Sequence, residues 1–343
     1  MSYSIKNCSN THPFKIIFSI FILLLTFSFA KAQIVYVKPD GKGNGTSWRK
    51  ATHDLSKALK NAEFGTKIWV AAGTYIPTWN NDRKRAFIIP DGIQLYGGFS
   101  GKETDFSQRD VTKNPTILSG EIGSLSKKDN SFNVIRLIDV SSATIIDGFI
   151  ISDGFAMGKD EDNGSRYRSG AGIFNDGSNS KVGSNPVIRN CIFQNNYAMD
   201  GAAIYNNAFN GACSPQIENC MFIDNDAFTD GGAIFNDCKN HGKIRMTVIN
   251  SQFEKNKSNN GGAIFGHNVT GRAYFEFTNC DFIQNTAHSR GGAIYDLSFD
   301  GKKPFTFNNC TFLENEAYEG DNIYIKENII QVRHNEKEKI HRS

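Results

Sequence analysis

From about residue 146 onward, apolar and polar residues alternate in short runs. One apolar position is Ile, Ile, Val, Phe and Phe at residues 188, 217, 248, 277 and 307, and a mostly polar residue follows each time. Alternation with a period of two is typical of strands, because successive side chains of a strand point to opposite faces. Two residues after each apolar position comes an Asn that interrupts the alternation. We interpret this Asn as a bend, since Asn tolerates the left-handed backbone conformation.

The same pattern returns at a nearly constant spacing. Each bend Asn is followed three residues later by Phe, and the steps between these Phe residues are 29, 31, 29 and 30. Four copies continue into a box of two small residues, Ala and Ile, as in Gly231-Gly232-Ala233-Ile234, and the fifth ends in Gly320-Asp321-Asn322-Ile323. A fixed period of this length indicates a solenoid, in which each repeat buries its apolar face against its neighbours.

A strand, a bend, a second strand, a turn and a further strand in each 30 residues predict an all-β fold. We expect a single-stranded, right-handed parallel β-helix, with equivalent residues about 4.8 Å apart on neighbouring coils. Phe would stack on Phe in the core, and Asn would hydrogen-bond to Asn along the bend. The predicted structural residues are Asn190, Asn219, Asn250, Asn279, Asn309, Phe193, Phe222, Phe253, Phe282 and Phe312.

The chain divides into four predicted parts. Residues 1–32 are a secretory signal peptide, and residues 33–75 form an N-terminal cap with the first coil. The β-helix occupies residues 76–325, and residues 326–343 are a final strand or a charged tail. Within the cap, apolar residues recur at helical spacing over residues 51–62, which predicts a short helix covering the first coil.

The N-terminus predicts export. Lys6 and Lys15 precede or begin an apolar run over Ile16–Ala30, and Ala30-Lys31-Ala32 is a small-residue cleavage box. Fifteen apolar residues are short for a membrane span but suit a secretory signal. No later segment is apolar enough to cross a membrane as a helix. We therefore expect an extracellular or outer-membrane-surface protein, with the periplasm as an alternative.

Charge argues against nucleic acid as a partner. The formal net charge is +3, and residues 1–32 supply three Lys and no acid, so the mature chain is near zero. A neutral chain without a basic stripe is a poor binder of nucleic acid.

Most cysteines of the repeats are predicted to pack in the core. Cys191, Cys220, Cys280 and Cys310 share one column, which we interpret as a buried apolar filler. Cys213 and Cys238 lie in consecutive coils, and two alternatives stay open for them, free thiols or a disulfide.

The repeated pairing of the Gly-Gly-Ala-Ile box with Phe-x-x-Asn resembles the repeats of the chlamydial polymorphic outer-membrane proteins, over residues 146–325. This resemblance implies a surface β-helix associated with adhesion. Upstream, Ile34-Val35-Tyr36-Val37, Ile68 to Tyr75 and Leu95-Tyr96-Gly97-Gly98-Phe99 look like the N-terminal cap of pectin-lyase-like secreted β-helix proteins. That second resemblance implies architecture more than activity.

Candidate chemistry centres on one turn column and one long loop. The residues before the small-residue boxes are Asp200, Asp230, Asn260 and Arg290, and the equivalent turn one coil earlier is lengthened to residues 156–169. Stacked Asp200 and Asp230 could share a Ca²⁺, which takes oxygen ligands. In the alternative interpretation these are solvated turn residues that bind no ion, because Asp and Asn favour turns. A resemblance to β-helix lyases implies that a Lys or Arg abstracts a proton. In the long loop the candidates for this base are Lys159, Arg166 and Arg168, and Tyr167 is a candidate ligand contact.

Two hypotheses on function follow. The leading one is a secreted or cell-surface β-helix without enzymatic activity, which contacts a polysaccharide or another host or cell-surface component. The alternative is a polysaccharide lyase or glycosidase acting on an acidic polysaccharide near Asp200 and Asp230. No cofactor is required by the first hypothesis, and Ca²⁺ is the one suggested by the second. A fold of this kind hosts both activities and cannot separate them.

Overall fold

The computed structural model describes residues 33–124, 126–159, 165–297, 305–326 and 328–330, which belong to one compact unit, Ala32–Ser343. The predicted signal peptide and most of the charged tail lie outside the described residues. The described chain is a parallel β-solenoid of about nine turns with very little helix. The prediction of an all-β parallel β-helix with a short capping helix is confirmed.

Three long sheets run the length of the solenoid, and a shorter fourth sheet joins them at the turns. The first sheet contains Ile34–Val37, Lys67–Ala71, Gln94–Phe99, Ile145–Asp147, Val187–Arg189, Gln216–Glu218, Lys243–Ile249, Arg272–Thr278 and Phe305–Asn308, with Ala212–Cys213 beside Lys243–Ile249. The second contains Gly73–Tyr75, Thr116–Ser119, Ile150–Ser152, Ile192–Gln194, Met221–Ile223, Gln252–Glu254, Asp281–Ile283 and Thr311–Leu313.

The third sheet contains Phe87–Ile88, Ile135–Ile138, Ile173–Asp176, Ile204–Asn207, Ile234–Asp237, Ile264–His267, Ile294–Leu297, Ile323–Ile325 and Asn328–Ile330. The fourth, which we call the turn sheet, contains Phe155–Ala156, Tyr197–Asp200, Asp226–Asp230, Lys257–Asn260 and Thr286–Arg290. All strand pairs are parallel except the last, in which Asn328–Ile330 runs antiparallel to Ile323–Ile325. Short 3₁₀ helices are Trp48–Lys50, Phe106–Gln108, Lys127–Asp129 and Ser165–Tyr167.

The core is a set of ladders made by residues about 30 positions apart. The rings of Phe222 and Phe253 are 4.6 Å apart and 3° from parallel, and the other Phe neighbours of this ladder are 4.8 Å apart. Offset stacking of this kind adds to the stabilisation that comes from burying the rings. All six cysteines from Cys191 onward are buried free thiols, including Cys213 and Cys238, so the structure adopts the free-thiol alternative for that pair.

Two ladders of Asn side chains run along the bends. Exposed Asn250 donates to Asn219 at 3.2 Å and accepts from Asn279 at 3.0 Å. A second ladder is buried: Asn256 donates to Asn285 at 2.9 Å and to the carbonyl of Phe222 at 2.9 Å. The buried ladder satisfies backbone carbonyls that would otherwise be left inside the core without a partner.

The first coil is covered by the helix Leu55–Lys60. Its carboxy-terminal neighbour Ala62 and its own Leu55, Ala58 and Leu59 pack against the core of the solenoid. The side chain of Asp54 caps the helix by accepting the backbone N–H of Lys57 at 2.8 Å. The helix is shorter than the predicted 51–62 because Thr52 instead pairs with Val37 and Lys42.

Candidate functional site

Asp200 and Asp230 lie at the end of neighbouring strands of the turn sheet and are partners in its register. The next members of this column, Asn260 and Arg290, follow in the same register. Each turn continues into the first glycine of a box. Gly231 has a φ of 67°, and a Cβ there would lie 2.5 Å from the carbonyl oxygen of Ile234. Glycine is required at this point, and it fixes where the preceding carboxylate points.

The two carboxylates perturb each other. Burial, and secondly the charge of Asp230, raises the pKa of Asp200 to about 7. The charges of Lys239 and Arg168 act in the opposite direction on that pKa. Burial also raises the pKa of Asp230, although its carboxylate accepts a hydrogen bond from Nδ2 of Asn260 at 2.9 Å. Near neutral pH, Asp200 and Asp230 therefore hold a proton, or a nearby cation stabilises them when both are ionised.

The outer face of the third sheet carries an aromatic ladder next to this column. Its members are buried; Phe174, Tyr205, Phe235 and Phe265 stack from coil to coil, and Tyr295 meets Phe265 edge to face. Burial, and then the charges of Asp237 and Asp200, raise the pKa of the Tyr205 hydroxyl.

One member of the aromatic ladder, Tyr205, also belongs to a polar group. The Tyr205 hydroxyl donates to Oδ2 of Asp237 at 2.8 Å, and Nζ of Lys239 lies 3.3 Å from the same oxygen. Lys239 also lowers the pKa of both Asp200 and Asp230. Sequence reasoning missed Tyr205, Asp237 and Lys239. The available signal was the recurring Ile-aromatic-x-polar run after each glycine box.

The long loop does not bring all of its predicted residues to the acidic pair. Tyr167 packs against Phe132 with ring centroids 5.1 Å apart, and the guanidinium of Arg166 lies over the Tyr167 ring. These two residues therefore face the preceding coil and not Asp230. Lys159 is exposed.

Arg168 is the loop cation whose backbone lies next to the strand that carries Asp200. Its carbonyl oxygen accepts the backbone N–H of Met199 at 2.7 Å, one residue before Asp200. Its charge lowers the pKa of Asp200. Asp160, Glu161 and Asp162, the acids of this loop, lie outside the described residues.

The residues at the pair meet part of what Ca²⁺ would need. Oδ1 of Asn260 is buried and has no hydrogen-bond partner in the described part of the chain, so it is a further oxygen next to the Asp230 carboxylate. Ca²⁺ takes about 6–8 oxygen ligands. Among the described residues no group of three or more His, Cys, Asp or Glu side chains could hold a metal ion. Any Ca²⁺ here would depend on amide oxygens and water in addition to the two Asp side chains.

Parts of the chain are similar to known proteins. Residues 250–267 and 279–296 match the Chlamydia polymorphic membrane protein repeat, so the match covers two of the copies described above. No curated protein matches the chain. Among solved structures, pectate lyase Pel9A is similar with a TM-score of 0.42 and 14% identity, covering 81% of this chain and 78% of that one.

The molecule is thus a parallel β-solenoid that carries repeats of the polymorphic membrane protein type. In the part of the chain that the structure describes, no helix combines the length and the apolar composition needed to cross a membrane.

Proposed function

We propose that this is a cell-surface β-solenoid that binds a polysaccharide or another cell-surface component without transforming it. The observation that carries the proposal is the pair of exposed aromatic side chains along the turn sheet. Phe228 is 63% exposed and Tyr318 is 87% exposed. The polymorphic membrane protein repeats and the predicted signal peptide support a place outside the cell.

The turn sheet is shaped to present side chains outward. Its register shifts between Ala198 and Asp200, and Phe228 lies in the bulged segment of the partner strand. A bulge redirects a side chain away from the regular face of a sheet. Tyr318 lies between Glu316 and Glu319, which bridge to the last strand of the turn sheet.

Charged groups follow the same edge. Arg290 is ion-paired to Glu319 at 2.9 Å, and both are exposed. At the other end, the rings of Phe155 and Tyr197 stack with centroids 5.2 Å apart. An edge that alternates flat apolar rings with hydrogen-bonding groups complements sugar rings, which have apolar C–H faces and polar rims.

A binding experiment tests this proposal. The mature protein would be immobilised and exposed to a panel of acidic and neutral polysaccharides, and its affinity for any that bind would be compared with that of Phe228→Ala/Tyr318→Ala. We expect the double variant to lose at least about tenfold in affinity, as for truncated aromatic anchors. The matched control is Val182→Ala, an apolar residue that is 74% exposed and lies away from the turn sheet. Equal affinity of the double variant and the control would rule out the turn sheet as the binding edge.

A second candidate function is cleavage of a uronate polymer at the acidic pair. The observation that favours cleavage is the pKa of Asp200, which is raised to about 7. The charge of neighbouring Asp230 contributes to this increase, and the charge of Arg168 opposes it. A proton-holding acid next to a cation is a common arrangement in acid–base catalysis. In this hypothesis Arg168, in its neutral form, would take the C5 proton next to the uronate carboxylate while the C4–O bond to the leaving sugar breaks, and the leaving oxygen would take up a proton from water. With their protons displaced, Asp200 and Asp230 would hold a Ca²⁺ that could neutralise the uronate carboxylate.

This alternative is tested by ultraviolet absorbance of unsaturated products during incubation with uronate polymers. Steady product formation that is lost in Asp230→Ala, and retained in Phe228→Ala, would support cleavage and displace the binding proposal. Absence of product at any Ca²⁺ concentration, with the polymer still bound, would remove the lyase hypothesis.

A further inference from the structure

A second concave surface lies at the N-terminal end of the solenoid, remote in sequence from the turn sheet. It has a volume of about 980 Å³ and is bordered by the capping helix Leu55–Lys60 on one side. The segment from Thr74 to Pro90 borders the other side. Small-ligand sites range over roughly 300–1,000 Å³, so this cleft is large enough for an oligomeric ligand.

The cleft combines a buried floor with exposed apolar surface. Leu55 and Tyr75 are buried, and the Tyr75 hydroxyl is already occupied by the carbonyl oxygen of Ala71 at 3.0 Å. Trp79 is 81% exposed and Ile88 is 51% exposed, and both line the cleft. A solvated indole at the mouth of a cleft is unusual for a residue type that is mostly buried, and it offers a flat face for stacking.

The charged groups of the cleft are mainly cations. Lys57, Lys60 and Arg85 line it and are exposed. The lining acid, Asp54, is engaged as the cap of the helix through its bond to the N–H of Lys57. Arg85 is also ion-paired with Asp82 at 3.4 Å, and Asp82 does not line the cleft. The cleft is therefore locally basic in a mature chain whose formal charge is near zero.

The cationic character continues past Ile88. Its register partner on the next coil is Arg136, whose Nη2 donates to the carbonyl oxygen of Lys84 at 2.8 Å. Burial, followed by the charges of Arg166 and Arg85, lowers the pKa of Arg136. An anionic ligand lying along this edge would relieve the repulsion between these guanidinium groups.

We propose that the N-terminal cleft binds an acidic oligosaccharide, with one sugar ring stacked on Trp79 and the acidic groups paired to Lys57, Lys60 and Arg85. This site is separate from the turn sheet, so the molecule has two contact surfaces at different heights of the solenoid. Stacking supplies affinity for the ring, and the cations select acidic chains over neutral ones.

The test is titration calorimetry of the mature protein with three oligosaccharides of equal length: a galacturonate tetramer, a chondroitin sulfate tetramer and a neutral maltotetraose. We expect at least one acidic tetramer to bind, and maltotetraose to bind at least about tenfold more weakly. The two acidic arms distinguish carboxylate from sulfate as the preferred group.

Variants assign the binding to the cleft. Trp79→Ala should weaken binding of the acidic tetramer at least about tenfold, and the fold is unaffected because the side chain is exposed. Lys57→Gln/Lys60→Gln should remove the preference for acidic chains, and Tyr318→Ala on the turn sheet should change nothing. The proposal is overturned if neither acidic tetramer binds, or if binding is unchanged in Trp79→Ala. Since Tyr318→Ala tests the turn sheet independently, failure of one surface does not imply failure of the other.

Discussion

Single residues set both bends of every coil. Asn219 at the first bend has a φ of 52° and Asn250 a φ of 50°. At the second bend the left-handed position precedes the buried Asn and is more variable, as in Asp224 at 52° and Lys255 at 55°. Left-handed backbone costs a residue with a Cβ roughly 1 kcal/mol, so the second bend is held by the buried Asn that follows it.

At the residue scale the clearest prediction concerns Asp200. The pKa of Asp200 is about 7 in the folded protein and 3.8 in the unfolded chain. At a pH between these two values, the folded protein therefore holds a proton that the unfolded chain releases. The free energy of unfolding should therefore fall as the pH rises from about 4 to about 7. The full shift corresponds to about 4 kcal/mol, and because Asp200 keeps some solvent contact we expect about 1–2 kcal/mol.

Urea unfolding of the wild type and Asp200→Asn at about pH 5 and about pH 7.5 measures this contribution. Asn resembles the protonated acid, so the variant should gain about 1–2 kcal/mol relative to the wild type between the two pH values. The same difference between wild type and variant at both pH values would show that Asp200 titrates normally.

At the scale of one coil, the two Asn ladders have different roles. Asn256 is buried, donates to Phe222 and Asn285, and accepts from Asn225 at 3.0 Å. Asn250 lies on the exposed ladder, where water can replace its partners. The buried ladder is thus the polar support of the core, and the exposed one mainly supplies a bend residue.

Asn256→Ala should lower the free energy of unfolding by about 3 kcal/mol, because it leaves a buried carbonyl and a buried amide without partners. Asn250→Gly is the matched change on the exposed ladder. It should cost less than about 1 kcal/mol, since Gly adopts a φ of 50° without strain. Denaturant melts of both variants check the difference, and equal losses would contradict the distinct roles of the two ladders.

The same contrast explains what the sequence could predict. The strands and bends were predictable because the period and the residue type recur together, as in Phe222 and Phe253. The polar group of Tyr205, Asp237 and Lys239 was not, because its members vary from coil to coil and Tyr205 bonds to Asp237 of the next coil. The recurring run after each glycine box marks where such residues lie, but it does not show which of them meet across coils.

The direction of the long loop could not be predicted from the sequence either. Its residue Tyr167 packs on Phe132, which belongs to a coil without the repeated motif. Where repeats are regular, position in the sequence gives position in space. Where a loop leaves the repeat, its path depends on the residues against which it packs. The candidate base Arg166 lies over Tyr167, which packs on Phe132, and so it lies away from Asp230.

For the whole described unit, stability comes from contacts between successive coils. The first coil is covered by the capping helix, and at the other end the antiparallel strand Asn328–Ile330 covers the edge of the third sheet. Closing both ends matters because an open parallel edge would pair with other chains. This architecture offers long, regular faces, along which the turn sheet and the N-terminal cleft are the two contact places that we propose.

The central claim is that residues about 30 positions apart lie directly above one another. Nuclear Overhauser spectroscopy with selectively labelled Ile methyl groups tests it, because one Ile from each coil forms a column in the third sheet: Ile173, Ile204, Ile234, Ile264, Ile294 and Ile323. Neighbours in the column are roughly 5 Å apart and second neighbours roughly 10 Å apart. The fold predicts an unbroken series of cross-peaks between first neighbours; their absence, or stronger cross-peaks between Ile204 and Ile264 than between Ile204 and Ile234, would contradict it.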